Sequence, residues 1–186
     1  MVQVLSNIIT GLGLSASAGL NAYIPLLIVA LLARFTHLVH LKPPFDALTN
    51  AWVMVILAVL VLIEALMDKI PAVDAVYNVI QTLVRPAAGA ILFAASSNVI
   101  SDIHPVLALI CGILVAGTVH AAKTTARPVI TMTTASAANP LVSAAEDVVA
   151  VIASLLSILM PLVALLFIVI GVLLIVRALR YTRAHA

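Results

Sequence analysis

The feature of this sequence that most constrains its fold is a series of long apolar runs separated by very few charges. Of 186 residues, 65% are hydrophobic and 9% are charged. Soluble domains usually carry about a quarter charged residues, so this chain has too little polar surface to cover a globule in water. Because backbone groups inside a bilayer must be paired within the chain, we expect an all-α polytopic transmembrane helix bundle.

The apolar runs predict about six spans, some of them interrupted, since a helix needs roughly 20 mostly apolar residues to cross the hydrocarbon core. They form one integral membrane domain over residues 1–186. The third run is short, so it is either a tilted span or half of a re-entrant hairpin with the fourth. The predicted spans are residues 8–32, 51–67, 86–100, 105–119, 129–145 and 149–176.

The distribution of basic residues predicts that both termini are cytoplasmic, because cytoplasmic loops carry the excess of lysine and arginine. In this topology the only lysine or arginine residues on the outer side are Arg34 and Lys42. The first residues lack the basic start of a secretory signal and are interpreted as mature protein. The inside receives Lys69, Arg85, Lys123, Arg127, Arg177, Arg180 and Arg183.

In residues 72–84, apolar side chains recur at helical spacing and polar side chains lie on the opposite face. The pattern is typical of a short amphipathic helix along the cytoplasmic face. The alternative is an extension of a neighbouring span.

The first and fifth spans share small residues followed by asparagine and proline, over residues 15–25 and 134–140. Small residues at four-residue spacing allow close helix packing. The other interpretation is a pair of interrupted helices whose freed carbonyls form a polar site near mid-membrane. In that case Asn21, Tyr23 and Asn139 are the candidate solute ligands.

Two arginines each precede a proline, in Arg85-Pro86 and Arg127-Pro128. Proline suits the first position of a helix. A guanidinium beside free N–H groups would favour an anion, so Arg85 and Arg127 are candidate ligands of an anionic solute or lipid headgroup. The alternatives are a nearby acidic side chain as the partner, or an ordinary cytoplasmic membrane anchor.

Five ionisable residues near the membrane are candidates for proton or ion coupling: Glu64, His120, Lys123, Glu146 and Asp147. His120 follows a stripe of small residues, which favours either close packing or a narrow path. The alternatives are a structural salt-bridge network for Glu64, His120 and Lys123, and a helix cap with Ser143 for Glu146.

Motifs for catalysis and metal binding are weak in this chain. His37 and His40 are three residues apart, and no cysteine or carboxylate stands at a convincing spacing to complete a metal site. Cys111 is the only cysteine. The sequence predicts no catalytic residue, no cofactor and no nucleic-acid partner.

The chain resembles a family of small bacterial membrane proteins known as a domain of unknown function. The motifs that carry the resemblance are Ala18-Gly-Leu-Asn-Ala-Tyr23, Glu64 with Asp68-Lys-Ile-Pro71 and Asp74, Val84-Arg-Pro86 with Gly89-Ala90, His120-Ala-Ala-Lys123, Arg127-Pro128 and Ser143 with Glu146-Asp147. The resemblance implies a bacterial inner-membrane location and supplies no activity.

These observations favour a small secondary transporter or channel for a small solute, with an anionic group or lipid headgroup as the substrate class. Small size and small-residue faces favour a homo-oligomer. The alternatives are a membrane scaffold or assembly partner and, less favoured, a membrane enzyme acting on lipid headgroups.

Overall fold

The computed structural model describes residues 2–67, 71–96, 104–134 and 139–163, together with positions 166, 169–171, 173 and 177. Parts of the predicted third and fifth spans, residues 97–100 and 135–138, lie outside this set, as do Lys69, Arg180 and Arg183. The helices are α1 (Val2–Leu20), α2 (Tyr23–Phe35), a short 3-10 helix (Phe45–Thr49), α3 (Ala51–Met67), α4 (Pro71–Ala95), α5 (Pro105–Thr134) and α6 (Asn139–Leu159).

The prediction of an all-α helical bundle of membrane type is confirmed. Among the described residues, three segments are long and apolar enough to cross a bilayer: Tyr77–Ala95, Pro105–Pro128 and Asn139–Leu159. Three shorter apolar helices accompany them: Val4–Leu20, Tyr23–Phe35 and Ala51–Met67. Large side chains such as Trp52 (77% exposed) and Leu83 (78% exposed) point outward, which suits a lipid-facing surface.

Helix α1 lies at the centre of the bundle, against α4, α5 and α6. It runs antiparallel to α4, because Ser15 bonds to Gly89 and Ser96 to Asn7. It is also antiparallel to α6, because Thr10 donates to the carbonyl of Ser157 and Ser17 to that of Ala150. The hydroxyl groups of α1 therefore donate hydrogen bonds to backbone carbonyls of the neighbouring helices, so these polar groups are paired in the absence of water.

The chain reverses between α1 and α2. Thr10 of α1 and Val39 beyond α2 line the same cleft, so the two helices form a hairpin with its open end at one end of the bundle. We call this pair the α1–α2 hairpin. Residues 8–32 are thus two helices rather than one continuous rod, and the interruption falls at Asn21 and Ala22. The 13 residues of α2 measure about 20 Å, less than a hydrocarbon core.

The hairpin predicts the sidedness of two segments. We expect Gln3→Cys and Asp46→Cys, each in a Cys111→Ala background, to react with a membrane-impermeant thiol reagent from the same side. Thr134→Cys, at the far end of α5, should react from the opposite side. Labelling of Gln3→Cys and Asp46→Cys from opposite sides would contradict the hairpin and show that residues 8–32 cross the membrane once.

The structure changes several predicted helix boundaries. Pro86 and Pro128 lie inside α4 and α5 and do not begin helices, so those two predictions are wrong. The amphipathic segment is the first part of α4, as the alternative held. Helix α5 continues past residue 119 to Thr134, and α6 runs unbroken through Glu146. Prolines are tolerated inside membrane helices where neighbouring groups satisfy the freed carbonyls.

Glycines bring α4 and α5 into backbone contact. A Cβ atom on Gly112 would lie 2.3 Å from the carbonyl oxygen of Gly89, and one on Gly89 would lie 2.4 Å from the Cβ of Ala116. A Cβ on Gly19 of α1 would meet the Ala116 carbonyl oxygen at 2.6 Å. The stripe of small residues on α5 therefore serves close helix packing.

Candidate functional site: a polar layer at the hairpin tip

The break in the α1–α2 hairpin is organised by Asn21. Its Oδ1 accepts hydrogen bonds from the backbone N–H groups of Tyr23 and Ile24, at 3.1 and 3.0 Å. Its Nδ2 donates to Asp147 Oδ1 at 2.9 Å. One amide therefore caps the start of α2 and ties the tip to α6, which fits the side-chain capping that asparagine provides.

Two cations bind the other side of the break. Arg85 Nη1 lies 3.4 Å from the carbonyl oxygen of Gly19, and Lys123 Nζ lies 3.0 Å from that of Leu20. These carbonyls end α1, where the helix dipole is negative and cations are favoured. Two of the carbonyls at the interruption are thus bound by the protein's own side chains.

Arg85 is the centre of a buried ionic group near the middle of α4. Its Nη2 donates to Glu64 Oε1 at 2.8 Å, and both side chains are essentially inaccessible. Its Nη1 lies 3.1 Å from His120 Nδ1. His120 Nε2 in turn lies 3.2 Å from the hydroxyl of Thr82. Arg85 therefore joins Glu64 of α3 to His120 of α5.

A second ionic group joins α5 and α6. Glu146 Oε2 accepts from Lys123 Nζ at 2.8 Å and from Arg127 Nη2 at 2.9 Å. Arg127 also donates to the hydroxyl of Ser143 at 3.1 Å. Ser143 and Glu146 thus share the guanidinium, and the predicted cap at a helix start is wrong because both residues lie within α6.

The two groups form one layer that we call the polar layer. It holds three acidic side chains and three basic ones besides His120, so with a neutral His120 its formal charge is zero. Balanced charge lowers the cost of placing ions in an apolar bundle. Its members are Asn21, Glu64, Gln81, Arg85, His120, Lys123, Arg127, Glu146 and Asp147.

Gln81 is the member that sequence reasoning missed. Its side chain is fully buried, yet neither its Nε2 nor its Oε1 makes a hydrogen bond of normal geometry with the described residues. Arg85 Nε, one turn along α4, is also without such a bond. Tyr77 interacts with the side chains of Gln81 and Tyr23 and lies close to Glu64. The four-residue spacing of Tyr77, Gln81 and Arg85 could have predicted that Gln81 belongs to the site, because it places the three residues on one helix face.

The structure does not bring all the predicted ligands together. Asn139 sits at the start of α6, where its amide pairs with the hydroxyl of Thr131 at 3.1 to 3.2 Å. It is about two helical turns from Asn21's partner Asp147. Tyr23 is partly buried and packs against the core around α1 and α2. The polar layer therefore forms around Asn21 and the ionisable residues, with Asn139 at its edge.

The arrangement restricts which chemistries the site supports. Arg85 and Arg127 do not lie beside helix starts, because Pro86 and Pro128 lie within helices. Both guanidiniums pair with carboxylates. Within the described part of the chain, no three His, Cys, Asp or Glu residues form a group suited to a metal ion. The polar layer is built for ion pairing and hydrogen bonding.

The fold and the polar layer define an all-α membrane protein with an internal ionic site. The chain belongs to the family described as "Domain of unknown function (DUF4126)", whose model matches residues 8–181. Neither the curated proteins nor the solved structures contain a significant match.

Proposed function

We propose that this protein is a small secondary transporter whose solute binds in the polar layer beside Gln81 and Arg85. The observation that carries the proposal is the fully buried Gln81, whose amide contacts Tyr77 but makes no hydrogen bond of normal geometry with the described residues, next to an Arg85 Nε that also lacks one. A buried polar group left without a partner costs about 1–3 kcal/mol. A guest with both donor and acceptor atoms would remove that cost.

The charges of the site favour an anionic solute carried with a proton. In the empty site, Glu64 neutralises Arg85 across 2.8 Å. When a proton binds the Glu64 carboxylate, the ion pair is lost and Arg85 can pair with the anion of the solute. Both the empty and the loaded site are then neutral, which avoids a net charge in the bilayer interior. Loss of the proton restores the pair and expels the solute.

The other members of the polar layer would connect this exchange to helix movement. Arg85 and Lys123 bind the last carbonyls of α1, so any change at Arg85 acts on the hairpin tip. Asn21 and Asp147 hold the same tip to α6. Discontinuous helices with sites at their breaks are a recurring design of secondary transporters. In this scheme His120 relays protons, Glu146 steadies Lys123 and Arg127, and Tyr23 and Asn139 border the path.

A membrane scaffold is the second candidate. It is favoured by the direct pairing of Glu146 with two cations and of Glu64 with Arg85, since such networks can lock a bundle without carrying a solute. The exposed apolar face of α3, with Trp52 and Leu66, would then contact a partner helix or a second copy.

Replacing Gln81 by leucine separates the two candidates. We expect Gln81→Leu to raise the free energy of unfolding by roughly 1 kcal/mol, because it removes a buried amide whose hydrogen bonding is incomplete among the described residues. In proteoliposomes with an inward proton gradient, the rate of solute uptake by the same variant should fall by about tenfold or more. This fall corresponds to the loss of one hydrogen bond to the solute. The probes are inorganic phosphate and a panel of small monocarboxylates.

The matched control is Asp46→Asn, an exposed acid in the 3-10 helix, which should leave uptake unchanged. Glu64→Gln should abolish the dependence of uptake on the proton gradient. If wild-type uptake of every probe equals that of empty liposomes, or if Gln81→Leu transports normally, the proposed site is excluded.

A further inference from the structure

A polar cavity lies away from the polar layer, at the open end of the α1–α2 hairpin. It has a volume of about 410 Å³ and we call it the hairpin cleft. Its floor is apolar and its walls carry hydroxyl, amide, imidazole and ammonium groups. The polar lining residues are Ser6, Asn7, Thr10, His40, Lys42 and Ser96.

The donors of the hairpin cleft fall into two groups. Thr10 and Ser96 donate to the carbonyl oxygens of Ser157 and Phe93, so their hydroxyl hydrogens are occupied. The side chains of Asn7 and Lys42 make no hydrogen bond within the part of the chain that the structure describes. An amide and an ammonium are therefore available at the cleft.

The charge of the lining is one-sided. Lys42 contributes an ammonium group and His40 an imidazole, while the described lining residues include no aspartate or glutamate. A compact ammonium with neutral donors beside it suits a phosphate or similar oxyanion. The cleft lies at an end of the bundle, the level at which lipid headgroups and dissolved anions both reach a membrane protein.

We infer that the hairpin cleft binds a phosphate group, with Lys42 as its charge partner and Asn7 as a hydrogen-bond donor. The phosphate can belong to an anionic lipid headgroup or to a dissolved phosphate. The apolar floor, formed by Leu14, Val29, Leu92 and Ile158, separates this site from the polar layer. Binding here is independent of the proposed transport and is measured without any flux.

The test uses the full chain purified in a maltoside detergent. Calorimetric titrations with inorganic phosphate, with short-chain phosphatidylglycerol and with short-chain phosphatidylcholine identify the source of the group. Lys42→Met should weaken binding of the phosphate probe about tenfold, and Asn7→Leu should weaken it several-fold. Arg34→Met removes the same charge from the same end of the bundle, outside the cleft, and should change binding less than about twofold.

Saturable binding of inorganic phosphate supports a site for a dissolved anion, and binding of phosphatidylglycerol alone supports a headgroup site. Equal binding of phosphatidylglycerol and phosphatidylcholine would overturn the inference, as would equal losses in Lys42→Met and Arg34→Met. Absence of saturable binding by any of the three probes overturns it as well. Asn7→Leu leaves the charge of the cleft unchanged. A loss of phosphate affinity in this variant therefore indicates a specific binding site rather than nonspecific electrostatic attraction.

Discussion

Arg85→Met should lower the free energy of unfolding by about 3–5 kcal/mol, because it leaves the Glu64 carboxylate buried without its charge partner. The substitution also removes the donors to His120 Nδ1 and to the Gly19 carbonyl. Reversible unfolding in bilayer-like micelles measures the loss. Arg34→Met, at an exposed arginine with one bond to the Thr49 carbonyl, should cost less than about 1 kcal/mol.

The double variant Glu64→Leu with Arg85→Met tests the cause of this loss. Replacing a buried ion pair by apolar residues of similar volume is often neutral or stabilising, so the double variant should recover most of the stability lost in Arg85→Met. If the losses of the two single variants simply add, the pair contributes little to the fold and the polar layer is not held by charge.

Gly112→Ala should lower the free energy of unfolding by about 3 kcal/mol, at the upper end of the usual cost of overpacking. The added methyl would meet the Gly89 carbonyl oxygen at 2.3 Å and the Ala90 Cα at 2.6 Å. Both atoms belong to backbone, so α4 and α5 would have to separate. Since His120 and Lys123 lie further along α5, the ionic contacts across the same interface should weaken too.

Gly117→Ala is the matched control on the same helix. Its added methyl would meet only the Pro86 ring, at the ordinary contact distance of 3.8 Å. We expect it to be neutral or slightly stabilising, because alanine has the higher helix propensity. Equal destabilisation by Gly112→Ala and Gly117→Ala would show that helix propensity or expression, rather than backbone contact, sets the cost.

Composition and hydropathy were sufficient to predict the helical membrane bundle, but they could not predict the hairpin. Residues 8–32 have the length of one span, and the reversal depends on Asn21 capping α2 and on cations from distant helices binding Gly19 and Leu20. Those partners are far away in sequence. The proline errors have a similar cause, since a proline at a helix start and one inside a packed helix look alike in sequence.

The candidate site was predicted in part. A nearby acidic side chain was one of the expected alternatives for the partner of Arg85, and in the structure that side chain is Glu64. Gln81 was assigned to the polar face of a surface helix. In the structure Gln81 faces the interior, while Val79 and Leu83 are 72% and 78% exposed. In a membrane protein the apolar face of an amphipathic helix can point outward to lipid and its polar face inward to the protein, the reverse of a soluble protein.

The most direct test of the central claim is whether water-borne molecules reach Gln81. In native membranes and a Cys111→Ala background, Gln81→Cys should react with a small hydrophilic methanethiosulfonate reagent. Ala94→Cys, which lies buried in an apolar cluster on the same helix, should stay protected. A site that accepts a guest from water must open to such a reagent at some point in its cycle. If Gln81→Cys reacts only after denaturation, the polar layer is a closed structural lock and the transport proposal is wrong.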